Sequence, residues 1–257
     1  MNRIHFPHDP PSHPPHYSLQ ISSAVYCRAD RHSSHAFFGP LHYEPNYAYP
    51  LLVWLHGGGD SEVQLKRIMP LLSLRNYVAA APRGTQAINE DDPGESGYRW
   101  PQTADHILLA EQRVLDCIEI AAEKFHVAPH RVFLAGLGSG GTMAFRLAME
   151  HPRRFAGVLS VGGAFPRGFA PLRQVEQSRN VPVFLATGRD SRRYSSERVC
   201  ADLRLLYSAG MCITLRQYPC GDDLTTQMLS DMDRWMMDQI CPTTQPAAES
   251  VDCQELN

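Results

Sequence analysis

The stretch best equipped for chemistry is Gly136-Leu137-Gly138-Ser139-Gly140-Gly141. It follows the apolar run Val132-Phe133-Leu134-Ala135 and precedes a helical run from Thr142. A glycine-rich turn between a buried strand and a helix holds one side chain at the end of the sheet, beside the unpaired N–H groups of the helix's first turn. When that side chain is a nucleophile, the turn reads G-x-S-x-G. Here Gly136 and Gly140 take the glycine positions, the nucleophile's place falls on Gly138, and the only serine, Ser139, comes one residue late.

A serine nucleophile also needs a base, because its hydroxyl is a poor attacking group near neutral pH. No histidine follows His151 in the sequence, so the part of the chain after the turn and its helix supplies no imidazole. Asp222 and Asp223 would be far weaker bases, an ordinary aspartate having a pKa of about 4. Loss of one member of a serine–histidine–acid set removes on the order of 10⁴ or more in turnover. Glycine at the apex also relaxes the backbone strain of such a turn, by about 1 kcal/mol.

The elements around the turn form one continuous α/β pattern. Residues 19–28 and 36–43 read as antiparallel lead-in strands. Residues 49–56 form a buried strand, followed by Gly57-Gly58-Gly59-Asp60 and a helix to about residue 74. Residues 77–81 are a strand, 85–101 a long loop, and 104–125 a helix with apolar residues at helical spacing. After the turn and its helix come strands at 155–161, 181–187 and 212–218, with helices at 196–209 and 224–240. Repeated strand–helix units imply a mostly parallel sheet of about eight strands covered on both faces.

The chain divides into an arm over residues 1–17, one domain over 18–241 and a polar tail over 242–257. The arm carries five prolines and four histidines and buries too little apolar surface to order itself. Its histidines, His5, His8, His13 and His16, lack regular ligand spacing, so no metal site is expected. Seven scattered cysteines without a C-x-x-C pair read as reduced thiols of a cytoplasmic protein. A net charge of −3 gives no reason to expect nucleic acid as a partner. No apolar run approaches the roughly 20 residues of a membrane span.

With these elements in place, the core from about residue 17 to 240 resembles the phospholipase/carboxylesterase branch of the α/β-hydrolases, which includes acyl-protein thioesterase-like serine esterases. Several matches in the same order carry the resemblance. Leu55-His56-Gly57-Gly58-Gly59-Asp60 is similar to the branch's oxyanion loop, Arg131 to Gly141 to its strand and elbow, and His151 to Gly157 to the link that follows. Pro182 to Gly188 resembles the strand that delivers the acid, and Tyr218-Pro219 the strand end that delivers the histidine. The resemblance places the triad at Gly138, Ser191 and Asp222, all three substituted. It implies an α/β-hydrolase fold, no cofactor, and a pseudo-hydrolase that binds a small ester, carboxylate or phosphate, or a protein partner, in the old crevice. His56, Gly57, Gly58, Ser139 and Gly140 are the expected ligand-binding residues.

Two further readings stand beside that one. Ser139 as a displaced nucleophile, served by His56 and Asp190, would give a weak carboxylic-ester hydrolase; the shifted position turns its side chain elsewhere, and His56 has a bracing role in the resemblance. Gly136–Gly141 also fits G-x-G-x-x-G, a nucleotide-binding fingerprint. The acid expected about 20 residues on to grip a ribose is missing, since residues 156–164 contain no Asp or Glu. Arg83, Arg99, Arg189, Arg192 and Arg193 lie near predicted strand ends, where ligands bind in open α/β sheets.

Overall fold

The structure is a computed structural model and describes residues 3–4, 35–88 and 97–241. The elements in chain order are β1 (Arg3–Ile4), β2 (His35–Phe38), β3 (Tyr49–Leu55), a 3-10 turn (Glu62–Gln64), α1 (Leu65–Leu72), β4 (Val78–Pro82), β5 (Gln86–Ala87) and β6 (Tyr98–Arg99). Then follow α2 (Ala104–Lys124), β7 (Val127–Leu137), α3 (Ser139–Glu150), β8 (Gly157–Val161), α4 (Val175–Ser178) and β9 (Val183–Gly188). The series ends with α5 (Ser196–Ser208), β10 (Ile213–Tyr218), β11 (Leu224–Thr225) and α6 (Thr226–Ile240).

Seven strands form the main sheet in the order β10-β9-β8-β7-β3-β4-β2, parallel throughout except for β2, which runs antiparallel to β4. Every residue of β3, β4, β8 and β9 is buried. Strands covered on both faces read as unbroken apolar runs, as Leu51-Leu52-Val53-Trp54-Leu55 does. Alternate residues serve the two faces. Leu51, Val53, Leu55 and Leu134 pack with Val114, Phe145 and Val199 of α2, α3 and α5, whereas Leu52, Trp54 and Phe133 pack with Ile68 of α1 and Trp235 of α6.

Seven strands stand where about eight are expected. The missing one, at residues 19–28, lies outside the described residues, as do most of the arm and the polar tail at 242–257. Of the arm, Arg3–Ile4 pairs antiparallel with Leu224–Thr225. The lead-in strand expected at 36–43 stops at Phe38, before Gly39-Pro40, because proline fixes φ and cannot donate to a ladder. Within the long loop, β5 and β6 pair as a short ribbon that the sequence does not announce. Among the described residues no helix is long and apolar enough to cross a membrane.

One buried carboxylate holds the wall beside the elbow. Asp202 of α5 is wholly buried and accepts from the Phe165 amide at 2.8 Å, the Tyr194 hydroxyl at 3.1 Å and the Arg167 guanidinium at 2.5 Å. It thereby ties the loops after β8 and β9 to one helix. Asp202→Ala leaves a buried amide and hydroxyl without an acceptor, and is expected to cost about 3 kcal/mol of stability. Urea unfolding measures it; a loss below about 1 kcal/mol would show that water replaces the carboxylate.

Candidate active site

The parallel strands all point their carboxyl ends at one edge of the sheet, where β3, β4, β7, β8, β9 and β10 release the loops that form the site. At the centre stands the turn between β7 and α3. Gly138 has φ 53° and ψ −117°, a left-handed conformation that side chains adopt only at a cost. A Cβ built on Gly138 would meet nothing within 4 Å, so the apex faces open space. The tightness of the turn has a separate cause. A Cβ on Gly140 would collide with the carbonyl oxygens of Leu55 and His56, and one on Gly136 with the backbone of Gly140. These glycines let the first turn of α3 lie directly on the ends of β3 and β7.

The loop after β3 is braced from below. His56 is fully buried; its Nδ1 lies 2.7 Å from the Gly57 carbonyl and its Nε2 accepts from the Gly84 amide at 2.8 Å. Those two contacts define a neutral ring with the proton on Nδ1. Burial pushes its pKa below the usual histidine value, outweighing the upward pull of the Gly57 carbonyl and of Asp60 and Glu62. Trp100 donates to the His56 carbonyl at 3.0 Å, and Gln64 accepts from Trp54 at 2.7 Å and from the Gly57 amide at 3.3 Å. Beneath the Gly84 turn, Arg83 forms a two-pronged pair with Glu62, at 2.8 and 2.6 Å.

The positions matched to the acid and the base come together on the neighbouring loops. Ser191 donates to Asp222 Oδ1 at 2.5 Å, and Asp222 also accepts from the Arg192 and Arg193 amides, both at 3.3 Å. Partial burial raises the Asp222 pKa, but the Ser191 hydroxyl, the two amides and the Arg193 charge outweigh it and hold the carboxyl below its usual range. Asp190 points away, exposed and paired with Arg189 at 3.3 Å. Ser139 begins α3 with its Oγ buried and without a hydrogen-bond partner. The structure therefore brings Ser191 and Asp222 into contact, while both nitrogens of His56 face partners other than Ser139.

A cleft of about 390 Å³ opens above the apex. Gly58, Gly59, Gly138 and Ser139 form part of its lining, together with Arg99 and Arg193. Of the expected ligand-binding residues, Gly58 and Ser139 reach the cleft, while His56, Gly57 and Gly140 support it from behind. Sequence reasoning misses Ile88, Thr142, Gly162 and Ala164, which also line it. Thr142 was within reach, lying one helical turn beyond Gly138; Gly162 needed the knowledge that β8 neighbours β7. Trp100 packs in the core, and Tyr98 lies under the Arg83 guanidinium at 4.9 Å.

A parallel sheet wrapped by helices, with a positive-φ elbow after its central strand and a glycine loop beside it, defines an α/β-hydrolase. The chain belongs to the esterase family: residues 28–203 match the family described as "Putative esterase". It is 32% identical over 142 residues to the putative esterase NocK of Nocardia uniformis subsp. tsuyamanensis, a match spanning 54% of this chain and 39% of that protein. To a "probable carboxylesterase" of Oryza sativa subsp. japonica it is 23% identical over 216 residues, covering 76% of this chain and 91% of the rice protein. The fold is also that of Zea mays acyl-protein thioesterase 2, with a TM-score of 0.66 at 13% identity over 81% of this chain and all of that one. The protein is thus a carboxylesterase-like α/β-hydrolase of the esterase family.

The His56 brace has a measurable consequence. Its folded pKa lies below that of unfolded histidine, about 6.5, so below that pH the unfolded chain binds the extra proton and stability falls. Nitrogen-detected NMR should find His56 neutral with Nδ1 protonated at pH 6. An imidazolium signal at that pH would contradict the assignment.

Proposed function

We propose that this member of the esterase family binds a small carboxylic ester, or the carboxylate derived from one, in the cleft above Gly138 and turns esters over poorly. The observation that carries the reading is the Ser191–Asp222 contact of 2.5 Å, next to an elbow whose apex is glycine. In a working triad a carboxylate holds an imidazole, and the imidazole takes the serine proton. Here a hydroxyl stands in the acid's place and a carboxylate in the base's. That carboxylate already accepts three hydrogen bonds and its pKa lies below the ordinary aspartate value. It is a poor proton acceptor at neutral pH.

One observation favours a second reading, residual hydrolysis through Ser139. Its buried Oγ lacks a partner and lies beside the glycine loop, where a Cβ on Gly58 would sit 3.6 Å from it. A buried hydroxyl without a partner calls for an explanation, and reactivity is one. What is missing is a base, because the His56 ring nitrogens are committed to Gly57 and Gly84. A nucleotide in Gly136–Gly141 finds less support, since Gly136 and Gly140 are filled by backbone packing.

Hydrolysis of p-nitrophenyl butyrate separates the readings. The wild-type protein is expected to stay near the buffer rate, with Ser139→Ala unchanged. Combining Gly138→Ser, Ser191→Asp and Asp222→His should raise the rate at least about tenfold, a small fraction of what a complete triad contributes. The open space above Gly138 accommodates the new side chain. Wild-type turnover that falls a hundredfold or more in Ser139→Ala would establish the displaced nucleophile instead.

A further inference from the structure

The geometry points to a small organic anion as the ligand of this cleft, with its charged end between Ser139, Arg99 and Arg193 and its apolar body against Ile88 and Ala164. The inference rests on the proposed binding role of the cleft and names the chemistry of what enters it.

Charge supplies the first argument. Three described carboxylates of the surrounding segments are already held by other donors: Asp60 by the Ser61 amide at 2.8 Å, by Gln64 at 2.8 Å and by Arg67, Glu62 by Arg83, and Asp222 by Ser191 and two amides. Neither arginine lining the cleft makes a hydrogen bond or ion pair to a described carboxylate through its guanidinium, although the Arg193 charge also acts on Asp222. Arg99 spends only its Nε, on the neutral Gln86 carbonyl oxygen at 2.8 Å, and its terminal nitrogens have no hydrogen-bond partner among the described residues. Arg193 uses its backbone amide on Asp222, and its guanidinium takes part in no ion pair or side-chain hydrogen bond among the described residues. Guanidinium groups hold carboxylates and phosphates by charge-assisted, often paired, hydrogen bonds.

Ser139 supplies the second argument, independent of charge. Ser139 lines the cleft, and its Oγ, buried beside the glycine loop, has no hydrogen-bond partner among the described residues. With the hydroxyl turned toward the cleft, an oxyanion seated there would accept that hydrogen bond. A neutral ester carbonyl would take it more weakly, and the two arginines would then remain unmatched. Ile88 and Ala164 give the same cleft an apolar wall. An anion with a short apolar body fits this combination better than a bare inorganic ion.

Titration calorimetry on the full chain at low ionic strength tests this with hexanoate, hexyl phosphate and the neutral isostere hexanamide. Either anion is expected to bind at least about tenfold more tightly than hexanamide, and added salt should weaken the preference. The tighter of the two anions identifies carboxylate or phosphate as the preferred group. Arg193→Gln should erase most of the preference, with unfolding in urea unchanged because the Arg193 side chain is exposed; Arg193→Lys should restore part of it. Equal binding of hexanoate and hexanamide would overturn the anion assignment while leaving the cleft as a binding site. Binding of none of the three probes would remove the binding role of the cleft and this inference with it.

Discussion

The site depends on one backbone constraint: the chain must leave β7 and enter α3 through a single residue with φ 53°. Glycines at 136 and 140 allow α3 to press against the strand ends, and that closeness forces the sharp turn. The turn puts Gly138 and Ser139 in the lining of the cleft. In a serine esterase this geometry is held under strain so that a hydroxyl can project from the apex. Here the residue that bears the strain is the one that tolerates it without penalty. Under the proposed function, the scaffold of attack is kept while position 138 supplies no side chain to attack.

The electrostatics of the surrounding loops follow the same direction. A triad arranges its pKa values so that one group can take a proton and another can stabilise the resulting charge. In this protein Asp222 is an anion held by donors, and its position is stabilised by staying charged. His56 is an imidazole kept neutral by burial and by two backbone partners. Neither group is poised near neutral pH. On the proposed reading, a cleft lined by Arg99 and Arg193 suits holding a charge better than moving a proton.

Much of this was legible in the chain itself, and the reasons are local. The unbroken apolar runs of β3, β4, β8 and β9 announce strands buried on both faces, and the ladder places them in one parallel sheet. The elbow could be read because strand, glycines and helix are contiguous. Contacts between distant segments were less accessible. The Ser191–Asp222 bond joins loops 31 residues apart, and the Gly84 amide on His56 spans 28. Arg99 and Arg193 lie on different strand-end loops, and nothing in their spacing separates them from Arg83 and Arg189, which pair with Glu62 and Asp190. The ribbon of β5 and β6 was hidden because two-residue strands leave no periodicity.

The central claim is that no hydroxyl at this elbow has a base to activate it. Intact-mass spectrometry after incubation with an alkyl fluorophosphonate tests that claim most directly, because covalent capture requires an activated nucleophile and no particular ester. The account predicts a mass equal to that of the untreated chain after a time that labels a working serine esterase to completion. A stoichiometric adduct that peptide mapping assigns to Ser139 would contradict it.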